Sequence, residues 1–257
     1  VVTLERRKGA EGSMPGRLLV ELGKGRFRNS ERRIIPFVND PEKDKLLNDI
    51  EHTPHAFVLA CLMDRQIKAE RAWTIPFAIK ETLQTFEVDD LAGVSVQEYK
   101  RIFREKSLHR FNDDMAEIFY SGVQDIKEKH NGDASRIWSS KPSSAKVVYE
   151  FLQFKGCGKK IATMAANLLA TQFRIPFADY YSIDISPDVH VLRVMRRTGL
   201  VSRDACLEAV IYRARELNPE FPGVIDFSCW EIGRTWCRPR NPNCDECVIG
   251  SVCKKVI

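Results

Sequence analysis

The 257-residue chain is 44% hydrophobic and 29% charged, which suits one large domain or two small ones and excludes collagen-like, disordered and disulfide-dense classes. No apolar run approaches the ~18–20 residues of a membrane span and the first residues lack a secretory signal's apolar segment, so the expected protein is intracellular, cytoplasmic in a bacterial or archaeal cell, with no membrane partner. The formal charge of +5 is uneven: residues 1–33 hold nine basic and four acidic side chains, residues 34–153 hold 16 and 20, and residues 154–257 hold 15 and 11. Net basicity is therefore no argument for nucleic acid, and any such evidence must be local.

Taken in chain order, the periodicity is helical and no segment alternates convincingly at period two. Residues 1–33 fit no strong template and are expected to form a basic N-terminal arm, of which Gly9-Ala-Glu-Gly-Ser-Met14 reads as an appended tag or a floppy stretch. Asp40-Pro41 starts a helix with a capping carboxylate and a proline in the first turn. Thr53-Pro54 starts another, through Phe57, Val58 and Leu62. Residues 67–84 read as helix with a kink or break at Pro76. Ser95 caps a helix bearing Tyr99, Ile102 and Phe103, and residues 113–130 form a long amphipathic helix stopped by Asn131-Gly132. Pro142-Ser-Ser opens a helix that ends at Gly156-Cys157-Gly158, and a new helix runs from Lys159 to about Phe173. Asp188 opens residues 188–199, Ser202 caps 203–217, and Pro222 opens 223–236. The expected class is all-α, with roughly ten or more helices joined by short connections.

Eight cysteines are distributed unevenly. Cys61, Cys157, Cys206 and Cys229 stand alone, while the spacing Cys237-x6-Cys244-x2-Cys247-x5-Cys253 crowds four thiols near the C-terminal end. Such clustering points to a soft metal centre in a reducing compartment rather than to disulfides. A [4Fe–4S] cluster and zinc both remain open on spacing alone, although zinc sites more often use two C-x2-C pairs. Arg238 and Arg240 stand on the loop between the first two cysteines and are candidates for phosphate contact, with solvated surface charge as the alternative.

Two glycines in the turn before Lys159 let the backbone approach another object and aim N–H groups outward. The following helix starts with Lys159 and Lys160, so this end is a candidate anion site, with an ordinary helix–turn–helix corner as the alternative. Asp188 follows a proline at a helix start, where an N-cap role is the default. A lysine at a helix start and partly desolvated becomes a nucleophile, and a facing carboxylate could take its proton or stabilise a positive sugar intermediate; such a pair can break an N-glycosidic bond.

These residues together resemble the helix-hairpin-helix (HhH-GPD) DNA glycosylases, in particular the endonuclease III-like branch with a C-terminal iron–sulfur cluster. Phe154-Lys-Gly-Cys-Gly-Lys-Lys160-Ile-Ala162 is similar to the hairpin with its catalytic lysine, and Asp188-Val-His-Val-Leu-Arg-Val194 to the segment bearing the catalytic aspartate. Asn112-Asp-Asp-Met-Ala-Glu-Ile, Glu128-Lys-His-Asn-Gly132 and the cysteine spacing match in the family's order, and the likeness covers about residues 40–257. The resemblance implies two helical domains flanking a DNA-binding cleft. One is a six-helix barrel over residues 52–175, with the hairpin at about 143–173. The other is a cluster domain made of residues 34–51 plus 176–257, so that Lys160 and Asp188 face each other across the cleft. It further implies a [4Fe–4S] cluster on Cys237, Cys244, Cys247 and Cys253, and a monomer acting on double-stranded DNA that contains a damaged base or an abasic site. Gly156, Gly158 and Lys159 would grip phosphates, and Gln66 would fill the gap left by a flipped base.

The departures are as informative. Residues 175–187 are longer than the family's usual link, and they add Phe177, Tyr180 and Tyr181 together with the rival carboxylates Asp179 and Asp184. The Thr-Asp that usually follows the glutamine in pyrimidine-specific members is missing, and His109-Arg110-Phe111 is the candidate second wedge, through Arg110. The implied activity is base excision with an associated lyase step through a lysine Schiff base. The alternatives are a monofunctional glycosylase using Asp188 and water, and a non-catalytic iron–sulfur DNA-binding or redox module on the same scaffold.

Overall fold

The computed structural model describes residues 13–28 and 34–256; of the arm expected over residues 1–33, residues 1–12 and 29–33 lie outside them. Among the described residues the secondary structure is helical with no strand, and no helix is long and apolar enough to cross a membrane. The chain divides into two compact units, residues 32–178 and residues 1–31 with 179–257.

In the unit of residues 32–178, α2 (Pro41–Asn48) begins where expected, with the Asp40 carboxylate accepting from the Glu42 and Lys43 amides. α3 (Pro54–Met63) is buried along its whole length, as a helix apolar on every face must be. It is the axis against which α4 (Ala69–Trp73), α5 (Ile75–Leu83) and α8 (Asn112–Lys129) pack. The break in the 67–84 region falls at Thr74, and Pro76 sits in the first turn of α5, where its missing N–H costs nothing. α7 (Val96–Glu105) is capped by the Ser95 hydroxyl, which accepts from the Glu98 amide at 3.2 Å. α6 (Val88–Gly93) and a short 3-10 turn at Ala134–Ile137 were not expected from the pattern. α9 (Ser144–Leu152) and α10 (Lys159–Thr171) form the hairpin.

Residues 34–51, which the resemblance assigned to the cluster domain, group with the unit of residues 32–178. Phe37 stacks on Trp73 with ring centroids 4.4 Å apart, and Trp73 lies in the aromatic group around Phe57. The Ile35 amide and carbonyl both bond the Asn48 side chain, at 2.8 and 2.9 Å, which ties the segment back onto α2.

The second unit joins chain ends. Residues 14–28, expected within a basic arm, form α1 (Met14–Arg28), and Leu19 of that helix is fully buried. Phe27 packs edge-on against Tyr180 and Phe221, 5.2 and 5.3 Å away, and Tyr180 and Phe221 stack at 5.0 Å. The N-terminal helix and the long 175–187 link, the two stretches the resemblance left unexplained, therefore share a core. The rest comprises α11 (Val189–Arg197), α12 (Leu207–Leu217), a 3-10 turn at Pro222–Ile225 and α13 (Asp226–Thr235). α12 starts four residues later than the Ser202 signal suggested. Residues 202–205 close a turn, Ala205 N–H to Ser202 C=O at 3.2 Å, and Arg196 takes the Ala205 carbonyl at 2.7 Å.

His55 of α3 is buried, and its Nε2–H donates to the Phe86 carbonyl at 2.7 Å. Burial holds its pKa below the ordinary 6.5, against the pull of that carbonyl. His109 and His130 are lowered by burial as well. Because the folded state favours the neutral rings, their contribution is complete above the unfolded value of 6.5 and is lost as pH falls below it. Urea denaturation at stepped pH should show stability falling on the acid side of about 6.5, less steeply in His55→Gln than in the parent; equal slopes would contradict this assignment.

Candidate functional site

The hairpin turn is anchored from below. Phe154 and Cys157 are buried and fasten the turn, while Lys155, Gly156 and Gly158 are exposed. The Cys157 amide closes the turn onto the Phe154 carbonyl at 3.0 Å. Burial pushes the Cys157 thiol up to about 12, which leaves it a packing group rather than a nucleophile. Gly156 has φ +79°, and a Cβ there would stand 2.8 Å from Ile118 Cδ1 and 2.9 Å from Arg65 Nη1. Both backbone conformation and space demand glycine. Gly158 has φ −89° and open space around it; its lack of a side chain is not needed by the chain itself. α10 follows with no side-chain cap, and Lys159 and Lys160 are exposed in its first turn. Among the described residues none buries Lys160, so the partial desolvation expected for it is not seen there.

Two further loops meet this turn. Gln66 follows α3, exposed and with φ +53°. Arg110 lies on the loop before α8, its guanidinium 4.7 Å from the Phe111 ring centre. His109 joins these loops: its buried ring accepts from the Phe111 amide at Nδ1, 3.1 Å, and donates from Nε2 to the Arg65 carbonyl, 3.0 Å. An Nδ1 that accepts puts the proton on Nε2. Arg71 fixes the same loop through the Leu108 carbonyl at 3.2 Å and the Ser107 carbonyl. The Arg65 side chain in turn rests on Gly156. Gln66, Arg110 and the hairpin, read as separate features in sequence, thus stand on adjoining loops of one unit.

Asp188, in the other unit, is the N-cap of α11: its Oδ1 accepts from the His190 and Val191 amides, each at 2.8 Å. Among the described residues its second oxygen takes no hydrogen bond. The rival Asp184 is buried and held by both nitrogens of a two-pronged Arg215 pair, at 2.7 and 2.9 Å. That pairing commits Asp184 to structure.

α11 is latched to the cysteine loop by two arginines whose role had no signal in sequence. Arg193 donates to the carbonyls of Cys237 (2.5 Å), Gly233 (2.7 Å) and Val189 (3.1 Å) and meets His190 Nδ1 at 3.0 Å. Arg197 binds the carbonyls of Arg238 (2.6 Å) and Pro239 (3.0 Å), with Cys237 Sγ 3.7 Å away. The helix that starts at Asp188 is therefore fixed to the loop that starts at Cys237. Arg238 and Arg240 are exposed on that loop.

Cys237, Cys244, Cys247 and Cys253 line one cavity together with Val194, Ile232 and Ile249. Gly250 is tucked under it, where a Cβ would stand 2.2 Å from the Cys244 carbonyl oxygen. Burial, then proximity to the other cysteines, raises the thiols of Cys247 and Cys253. Among the described residues no group of three His, Cys, Asp or Glu side chains is gathered for a single ion. A tetrahedral zinc would hold its sulfurs roughly 3.8 Å apart, from Zn–S distances of about 2.3 Å. Four cysteines lining one cavity are donors of the kind a soft metal centre takes.

No family model matches the chain. It is similar to endonuclease III of Thermotoga maritima, 24% identical over 207 residues that span 80% of this chain and 85% of that protein. Among solved structures it resembles a trapped endonuclease III–DNA covalent intermediate, with TM-score 0.59 and 19% identity over 84% of this chain and 92% of the other. It also resembles a thermostable thymine-DNA glycosylase, with TM-score 0.63 and 15% identity over 94% and 96%. The chain shares the fold of these endonuclease III and thymine-DNA glycosylase structures.

Proposed function

We propose that the chain is a base-excision DNA glycosylase with an associated AP lyase activity, acting on double-stranded DNA that contains a damaged base or an abasic site. The observation that carries this reading is the exposed lysine pair at the uncapped start of α10, directly after a turn that admits only glycine at position 156. The likeness to endonuclease III supports it.

In this reading the hairpin amides, with Gly156, Gly158 and Lys159, hold phosphates without reading sequence. Flipping the target nucleotide costs a few kcal/mol, and Gln66 and Arg110 occupy the space it vacates. Asp188 takes a proton from the Lys160 amine, which bonds to the sugar C1′ as the N-glycosidic bond breaks. The base leaves with the bonding electrons and picks up a proton. Opening of the sugar ring gives a protonated Schiff base. Loss of a C2′ proton then expels the 3′ phosphate, and water releases the lysine. The Asp188 oxygen left over by the cap is the one available for this work. Arg238 and Arg240 add phosphate contacts from the cysteine loop.

Cys237, Cys244, Cys247 and Cys253 would hold a [4Fe–4S] cluster, which when bound braces the loop to which Arg193 and Arg197 fasten α11. Iron and acid-labile sulfide in the purified chain are expected; zinc without iron would overturn that assignment.

Borohydride reduction on abasic duplex DNA should trap a covalent adduct with the parent chain and none with Lys160→Ala. Absence of the adduct in the parent, or undiminished trapping by Lys160→Ala, would remove the lyase step. Base release without a nick, lost in Asp188→Asn but kept in Lys160→Ala, would favour the monofunctional alternative.

A further inference from the structure

Arg65 lies where the three loops of the hairpin unit meet, and neither its position nor its state is explained by the packing of the chain. Its backbone is pinned at both ends: its amide donates to the Met63 carbonyl at 2.8 Å, and its own carbonyl accepts from His109 at 3.0 Å. Its guanidinium lies against Gly156, in space that a side chain on that residue would need. The residue is half-buried. Among the described residues it makes no ion pair and its guanidinium donates no hydrogen bond.

Neighbouring cations differ. Lys155 reaches Glu117 at 3.3 Å, Arg104 pairs with Asp113, Arg71 donates to two loop carbonyls, and Arg110 lies over Phe111. A positioned and partly desolvated guanidinium without an acceptor lacks the compensation that such groups normally find. A phosphate supplies it well, since the planar fork of donors matches two of its oxygens.

We propose that Arg65 is a phosphate-binding residue that holds the DNA backbone beside the hairpin turn. This makes Gly156 a requirement of binding as well as of backbone conformation, because a side chain there would displace the guanidinium. The assignment rests on the DNA-glycosylase reading above, and it adds a strand contact to the loop that carries Gln66. The phosphate contact is independent of the base being excised.

The test is the salt dependence of binding to two labelled duplexes, one undamaged and one carrying a tetrahydrofuran abasic analogue. One lost phosphate contact lowers the slope of log K against log salt by about 0.9. Arg65→Gln should show that loss on both duplexes, and Arg65→Lys should keep the parent slope. Should Arg65→Gln fail to fold, Arg65→Met reads the same loss with the stem retained. A parent slope preserved in the neutral variants, or a loss confined to the abasic duplex, overturns the role of Arg65 while leaving the glycosylase reading intact. A parent chain that binds neither duplex overturns the glycosylase reading and this proposal with it.

Discussion

Gly156 turns the backbone to φ +79° with Ile118 and Arg65 packed where its side chain would be, and this single left-handed residue decides where α10 begins. The start of α10 decides where Lys159 and Lys160 stand and which amides are left uncapped. The same crowding brings the loop after α3 against the hairpin, and His109 carries the contact on to the loop before α8. The hairpin meets the loop after α3 through the Arg65 side chain, and that loop's Arg65 carbonyl in turn holds His109 of the loop before α8. Buried Phe154 and Cys157 supply the footing, so the exposed glycines can face outward without loosening the turn.

The second unit solves a related problem in another way. Asp188 is held by the amides of its own helix, and that helix is held by Arg193 and Arg197 to carbonyls at the entrance to the cysteine loop. One Asp188 oxygen caps the helix, and in the proposed reaction the other is the one that works. The cysteine loop thereby connects to the proposed reaction mechanically, through helix placement. Asp184 shows the contrast: both of its oxygens are consumed by Arg215, so proximity in sequence to Asp188 gives it no equal claim.

Much of this was legible in sequence where the signal was local. Asp40, Ser95 and Ser143 cap the helices they precede, because an oxygen one turn from an orphan amide needs no tertiary help. The hairpin and the cysteine spacing were legible as ordered motifs. α1 was not, because its sequence is Gly- and Arg-rich and its partners, among them Phe221, Tyr180, the Pro222–Ile225 turn, α12 and α13, lie far along the chain. The placement of residues 34–51 depended on Phe37 meeting Trp73, which no periodicity encodes. Arg65, Arg193 and Arg197 carried no sequence signal, since what distinguishes them is a partner tens of residues away or the lack of one.

The central claim is that this scaffold removes a damaged base, and incubation with a panel of duplexes, each bearing one defined lesion, tests it most directly when free base is quantified by mass spectrometry. The account predicts release of at least one base from the panel by the parent chain and loss of that release in Asp188→Asn. Salt-dependent binding to the same duplexes with no base released from any of them would contradict it, and would leave a DNA-binding module in place of an enzyme.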